Sequence, residues 1–206
     1  MRLSAPVVRV RAQVVYGSKN WVPQYIYGTT AAYLDVRDWP LSEGLPFGES
    51  DVRSATRVAL IGQTTAENLF GDEDPVGKTL RIRNSPYLVA GVLGRKGQSL
   101  DGRDQDDTVL IPVSTAQRKL YGTPFVGSVR LIQVQAESAE AMDGVEKALK
   151  NLLRQRHRIR EGADDDFTVR NLTAVAQSAA ETTRVMSLLL GAIASVSLLV
   201  GGIGIM

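Results

Sequence analysis

The sequence predicts an α+β protein built on a split βαβ unit with a β-rich insertion, followed by a helix that enters a membrane. Three observations predict it. Strand-like and helix-like stretches run strand–helix–strand near both ends of residues 1–172. Short β segments crowd the middle, and no charged residue follows Arg184.

Composition sets the outer limits. Of 206 residues, 44% are hydrophobic and 22% charged, the balance of a chain that buries a core instead of staying disordered. The 24 basic and 22 acidic residues leave a net charge of +2, too even for a surface that binds nucleic acid. There is no cysteine, which excludes disulfides and thiolate metal sites. The segment after Met1 carries Arg2, Arg9 and Arg11, so it lacks the unbroken apolar core of a signal peptide.

Val8, Val10, Ala12, Val14 and Tyr16 alternate with Arg9, Arg11 and Gln13 and predict one half-buried strand. Ala31 to Trp39 predicts a short helix stopped by Pro40, then a Gly/Pro-rich loop from Glu43 to Asp51. Val58 to Ile61 predicts a buried strand, and Thr64 to Phe70 a helix ended by Gly71. Strands follow at Thr79 to Arg83, Tyr87 to Leu93 and Thr108 to Pro112, the first two joined by a turn at Asn84-Ser85-Pro86. A polar loop spans Arg95 to Asp107. Ser114 is the expected cap of a helix to Leu120, Val126 to Ala136 the next strand, and Ser138 the expected cap of a helix to His157. Met142, Val145, Leu149, Leu152 and Leu153 make one apolar stripe on that helix, expected to face a sheet. Phe167 to Leu172 is the expected last strand, and Thr173 opens a polar helix. This order is that of a ferredoxin-like split βαβ with a second lobe inserted.

The residues after Arg184 are apolar for about the 20 positions that cross a bilayer. Gly191 and Ser195 stand four apart, as do Ser197 and Gly201; with Gly202 and Gly204 they are the candidate membrane-helix packing positions. A buried core helix is the alternative, but an all-apolar helix needs protein on every side. The run is read as a membrane helix cut before its far-side charges, with an earlier membrane helix expected before Met1.

Several motifs have bland readings. Gly71-Asp-Glu-Asp-Pro-Val-Gly-Lys-Thr has one residue too many for a phosphate loop and leads into a strand, so it reads as a turn. Asp101, Asp104, Asp106 and Asp107 lack calcium-loop spacing and read as a solvated loop. Asp164, Asp165 and Asp166 read as surface turn residues. Arg154, Arg156, His157, Arg158 and Arg160 sit where a helix C-terminus favours positive charge. No nucleophile and base pair stands out, and His157 is the only histidine.

The words Arg57-Val-Ala-Leu-Ile-Gly, Ala66-Glu-Asn-Leu-Phe-Gly, Asp74-Pro-Val-Gly-Lys-Thr-Leu-Arg-Ile, Ile111-Pro-Val-Ser-Thr-Ala, Leu152-Leu-Arg-Gln-Arg-His, Asp165-Asp-Phe-Thr-Val and Leu199-Val-Gly-Gly-Ile-Gly-Ile-Met occur in that order. Together they resemble ABC-transporter permeases of the MacB type, from about residue 55 to 206. The resemblance implies a porter-like lobe at 1–61 and 126–172, an inserted Sabre-like lobe at 62–125, a stalk helix at 173–186 and a transmembrane helix at 187–206. It implies a permease homodimer in the inner membrane with this domain on the periplasmic side. It further implies a cytoplasmic ATP-binding subunit or fused domain that uses ATP and Mg, a periplasmic adaptor and an outer-membrane duct. No catalysis and no cofactor are expected in this chain. A lipoprotein-releasing permease, or mechanotransmission to a cell-envelope partner, is the alternative function.

Overall fold

A computed structural model of the chain describes residues 2–99, 102–121, 128–172 and 184–195. The chain divides into two compact units, residues 1–137 and 138–206.

The first unit begins with β1 (Leu3–Val10), β2 (Val14–Tyr16), β3 (Lys19–Trp21) and β4 (Tyr25–Thr29). Next come helix α1 (Ala32–Val36), β5 (Leu41–Gly44), α2 (Glu49–Ser54), β6 (Val58–Ile61) and α3 (Gln63–Phe70). The hairpin β7 (Thr79–Ile82) and β8 (Ser85–Leu93) leads to β9 (Thr108–Pro112). One α-turn, α4 (Val113–Thr115), continues as a π-helix (Ala116–Tyr121), and β10 (Leu131–Gln135) follows. The strands form one mixed sheet in the order β10-β1-β4-β9-β6-β8-β7-β2-β3, with β5 added beside β8. The β4–β9 and β6–β8 pairs are parallel.

Period-two alternation deals side chains to two cores, one on each face. Val8, Val10, Ala59, Ile61, Val109 and Ile111 enter one core, where Leu69 and Phe70 of α3 and Ala116 and Leu120 of the π-helix cover them. Ala5, Val7, Leu60 and Leu110 enter the other, under Tyr33, Trp39 and Phe47. A central strand buried on both faces has no polar side, which is why β6 and β9 read as continuous apolar runs. Each fully buried Leu or Ile contributes about 1.5–3 kcal/mol.

Several expectations need correction. The run Val8 to Tyr16 keeps its alternating burial, but it is two strands: β1 pairs with β4 and β10, whereas β2 pairs with β3 and β7. The chain changes ladders at Arg11 to Gln13, and side-chain alternation does not reveal such a change of partner. The Glu43–Asp51 loop is shorter than expected, because β5 reaches Gly44 and α2 starts at Glu49, where Asp51 Oδ2 accepts the Gly48 N–H at 2.9 Å. The β7–β8 turn is Arg83-Asn84, with Arg83 at φ 52° and Pro86 opposite Arg81 inside the ladder.

Ser114 caps no helix. Its hydroxyl donates to the Val52 carbonyl, and Pro112 holds the N-cap position. Strand β10 is shorter than the expected Val126–Ala136, of which residues 126 and 127 lie outside the described residues. Strand β4 was not anticipated. Its Gly28 has a reason: a Cβ there would lie 2.3 Å from Ala116 Cβ, so glycine lets the π-helix close on the strand.

The second unit contains α5 (Met142–His157). Ser138 Oγ accepts the Ala141 N–H at 3.3 Å, but Ala141, not Ser138, is the N-cap residue. Within the apolar stripe of α5, Met142, Val145, Leu149 and Leu153 are half-buried and Leu152 is exposed. Phe167 to Leu172 is not a strand. Its side chains alternate in exposure, yet it has no ladder partner, and the ladder is what makes a strand. The second βαβ half is therefore incomplete among the described residues. Residues 184–195 are helical.

Candidate functional site: a carboxylate clasp, a basic helix end and an exposed apolar helix

The loop Arg95 to Asp107 is organised by its own carboxylates. Asp106 and Asp107 are buried, not solvated as their polar context suggests. Asp107 accepts the Trp21 indole N–H at 2.7 Å, the Gln24 N–H at 2.8 Å and the Thr65 hydroxyl at 3.1 Å. Asp106 accepts the backbone N–H groups of Lys96 at 2.8 Å and Gly97 at 2.9 Å. Asp104 accepts the Thr64 hydroxyl at 2.7 Å and the Asp106 N–H at 2.9 Å. Asp101 lies outside the described residues. A buried carboxylate is tolerated when donors surround it, and here the donors are N–H and O–H groups of the protein. Among the described residues, no group of three or more His, Cys, Asp or Glu is placed to hold a metal ion.

Lys96 ties this loop to the end of α1. Its ammonium donates to the carbonyls of Arg37 and Asp38, the latter at 3.2 Å, and lies 5.4 Å from the Trp39 ring centre. Burial, then the charge of Arg37, holds its pKa below the ordinary value, against the pull of Asp38 and Asp106. The clasp rigidifies one end of the sheet and offers no free nucleophile or base.

The glycine-rich turn after α3 is committed internally. Val76 N–H donates to Asp74 Oδ1 at 2.8 Å, Gly77 N–H to the Val89 carbonyl at 2.9 Å and Lys78 N–H to the Pro75 carbonyl at 3.1 Å. A phosphate cradle needs such amides pointing outward.

In the second unit the basic cluster folds the chain back on itself. Arg154 donates to Asp165 and to the carbonyls of Arg160 and Ala163, and Lys150 Nζ lies 3.2 Å from Asp165 Oδ2. His157 Nδ1 is 2.8 and 2.9 Å from the two oxygens of Asp166, and its ring meets Phe167 edge-on at 5.8 Å. Asp165 and Asp166 are thus partners of the helix end and more than turn residues. Arg158 ends α5 in the left-handed region, at φ 57°.

Helix 184–195 exposes apolar side chains all round. Val185, Met186, Leu188, Leu189, Leu190 and Ile193 are each more than half exposed. Of the expected packing positions, Gly191 and Ser195 fall here: Ser195 Oγ donates to the Gly191 carbonyl at 2.8 Å, and the space where Gly191 would carry a Cβ is open. Ser197, Gly201, Gly202 and Gly204, and residues 173–183 of the expected stalk at 173–186, lie outside the described residues. Among the described residues no helix is long and apolar enough to cross a membrane.

The family described as MacB-like periplasmic core domain matches residues 2–152, most of the chain. The chain belongs to this family. It is the periplasmic domain of a MacB-type ABC-transporter permease. A "Macrolide export ATP-binding/permease protein MacB" of Syntrophobacter fumaroxidans is 36% identical over 253 residues, covering 98% of this chain and 35% of that protein. The protein of the same name from Rhodospirillum rubrum is 43% identical, covering 88% of this chain and 27% of that protein. A "Pyoverdine export ATP-binding/permease protein PvdT" of Pseudomonas aeruginosa is 37% identical, covering 94% and 28%. The chain thus spans about a third of the length of such relatives. Among solved structures, the periplasmic region of MacB from Actinobacillus actinomycetemcomitans superposes with a TM-score of 0.66 at 24% identity, covering 86% of this chain and 75% of that one. The extracellular domain of YknZ from Gram-positive bacteria gives 0.64 at 23%, covering 78% of each. These two likenesses speak to the fold: a mixed, sheet-rich α/β domain of the MacB periplasmic kind.

Proposed function

We propose that this chain is the periplasmic part of an export pump, where it passes ATP-driven movement of membrane helices to expulsion of substrate. The observation that carries this reading is the helix 184–195, whose apolar side chains face outward on every side. A helix of that kind is stable in lipid and is continuous with a run apolar to the end of the sequence. The apolar run from 187 to 206 crosses the inner membrane, and 173–186 is the stalk. The porter-like lobe comprises 1–61 and 126–172, with 62–125 the inserted lobe. Two copies work as a dimer. ATP is hydrolysed, with Mg, in a cytoplasmic domain or subunit, and an adaptor and outer-membrane duct receive the cargo. The relatives' names, macrolide export and pyoverdine export, support export as the class of activity over lipoprotein release.

The test uses the whole permease with its ATPase in proteoliposomes and in cells. Leu189→Pro breaks the helix where it enters the membrane. The expected result is retained ATP hydrolysis with lost cargo export. Export at the unaltered rate in a correctly inserted variant would overturn the transmission reading. Arrested release of lipidated proteins, with export intact, would replace it by the lipoprotein reading.

A further inference from the structure

Strand β10 stops pairing with β1 at Val7–Leu131, whereas β1 runs on to Val10. Beyond that pair the two segments part, and a groove of about 640 Å³ opens between them, lined by Val8, Arg9, Arg11, Ser128, Arg130 and Leu131 among others. That volume lies within the roughly 300–1,000 Å³ of small-molecule sites.

Three of the lining side chains are arginines. Arg9 is held in place: its guanidinium lies 5.3 Å from the Tyr25 ring centre and 5.6 Å from that of Tyr27, and it donates to the Tyr27 hydroxyl at 3.4 Å. The two tyrosine rings stack 5.3 Å apart at 12°, a firm platform for the cation. Among the described residues, no carboxylate pairs with Arg9, Arg11 or Arg130. Like charges lining one concavity repel each other and concentrate positive potential, which a bound anion relieves. Guanidinium forks match the paired oxygens of phosphate and carboxylate. Leu131, 47% exposed, adds an apolar wall beside the charges.

We propose that this groove binds an amphiphilic anion, with its phosphate or carboxylate held by Arg9, Arg11 and Arg130 and its apolar body against Leu131. Two sources carry that chemistry, a soluble anionic cargo and an acidic lipid headgroup. The site is made wholly by the first unit and stands independently of the export reading.

The experiment uses the full chain in neutral maltoside detergent, with 1-naphthyl phosphate as the probe, followed by its fluorescence in equilibrium dialysis. Inorganic phosphate and 1-naphthol are the charge-only and ring-only comparators. The expected result is saturable binding of naphthyl phosphate, about tenfold or more tighter than either comparator, and weakened about tenfold or more in Arg11→Gln/Arg130→Gln. Arg53→Gln/Arg81→Gln removes the same charge from exposed positions outside the groove and leaves binding unchanged. Circular dichroism of both double variants matches the parent, because all four side chains are exposed. Displacement of the probe by dihexanoyl phosphatidic acid, more potently than by naphthyl phosphate itself, assigns the site to a lipid headgroup; failure to displace assigns it to a soluble anion. Absence of saturable probe binding, or equal loss in the two double variants, overturns the proposal.

Discussion

The indole N–H of Trp21 donates to Oδ1 of Asp107 at 2.7 Å, joining residues 86 positions apart. The same carboxylate takes the Gln24 N–H and the Thr65 hydroxyl, so one buried side chain binds the end of β3, the start of β4 and α3. Asp107→Ala leaves three donors without their acceptor, the buried Thr65 hydroxyl, the half-buried Trp21 indole and the more exposed Gln24 amide. The expected loss is about 2 kcal/mol in urea unfolding, because an unpaired buried group costs about 1–3 kcal/mol and the more exposed donors recover water. Asp107→Asn keeps one acceptor oxygen and loses about half as much. Equal stability of parent and alanine variant would show that the clasp carries no net weight.

Gly62 is the second point of closure. It precedes α3, and a Cβ built on it would stand 2.1 Å from the Asp106 carbonyl oxygen. That neighbour is backbone, fixed because Gly62 N–H also donates to the Thr108 carbonyl at 2.9 Å. Gly62→Ala must push the loop away from the helix, at a cost of about 3 kcal/mol. Gly77→Ala has open space around it but sits at φ +79°, so its cost is backbone strain alone, about 1 kcal/mol. Thermal unfolding of the two variants separates the mechanisms by size.

Tyr33 titrates late. Burial raises its pKa to about 12, with Arg37 and Arg9 pulling down and Tyr27 pushing up by lesser amounts. The neutral phenol is favoured in the folded state, so its contribution is complete below pH 10 and is lost as pH rises toward 12. A shift of that size corresponds to roughly 2–3 kcal/mol. Burial raises Tyr27 and Tyr87 as well, so tyrosinate absorbance followed against pH should show a late step coupled to unfolding that Tyr33→Phe diminishes by one tyrosine without abolishing it.

Much of this was legible in the sequence, and the limits have physical causes. Leu60 and Leu110, inside runs with no polar side, announce strands covered on both faces, and Gly71 at φ 69° ends α3 as its position suggests. The words from Arg57 onward identify the family because they recur in order. Asp106 and Asp107 misled, since a run of aspartates looks solvated and the donors that bury these two lie on Trp21, Gln24, Thr65, Lys96 and Gly97. No local spacing reports partners so far away. Strand β4 was hidden by Gly28, which marks close approach to Ala116 and lowers strand propensity. Ser114 resembles a cap, but its hydroxyl is drawn to Val52, and the helix beyond it widens to a π-helix that no short pattern announces. Arg9 and Arg11 are the polar positions of an alternating strand, and no local spacing ties them to Arg130. Only the early end of the β1–β10 ladder brings them to one groove.

The end of α5 is held by charge, so it should respond to acid. Asp165 feels partial burial, which acts to raise its pKa, but hydrogen bonds from Lys150 and Arg154 and their charges outweigh it and leave the carboxyl below its ordinary 3.8. A carboxylate lowered in this way contributes stability that is present above pH 3.8 and disappears as pH falls through its folded value. Arg154 is the common partner, since it also binds the carbonyls of Arg160 and Ala163 that close the segment after the helix. Protonation of Asp165 therefore releases both the ion pair and the fold-back. Amide exchange of Arg158 and Ile159, whose N–H groups donate to Gln155 and Arg154 carbonyls, reports that release directly. Their protection should fall below pH 3.8 in the parent, while Asp165→Asn should lack protection already at neutral pH and show no further acid step. Exchange that changes equally in parent and variant would place the acid response elsewhere, and Asp166 beside His157 would be the next carboxylate to replace.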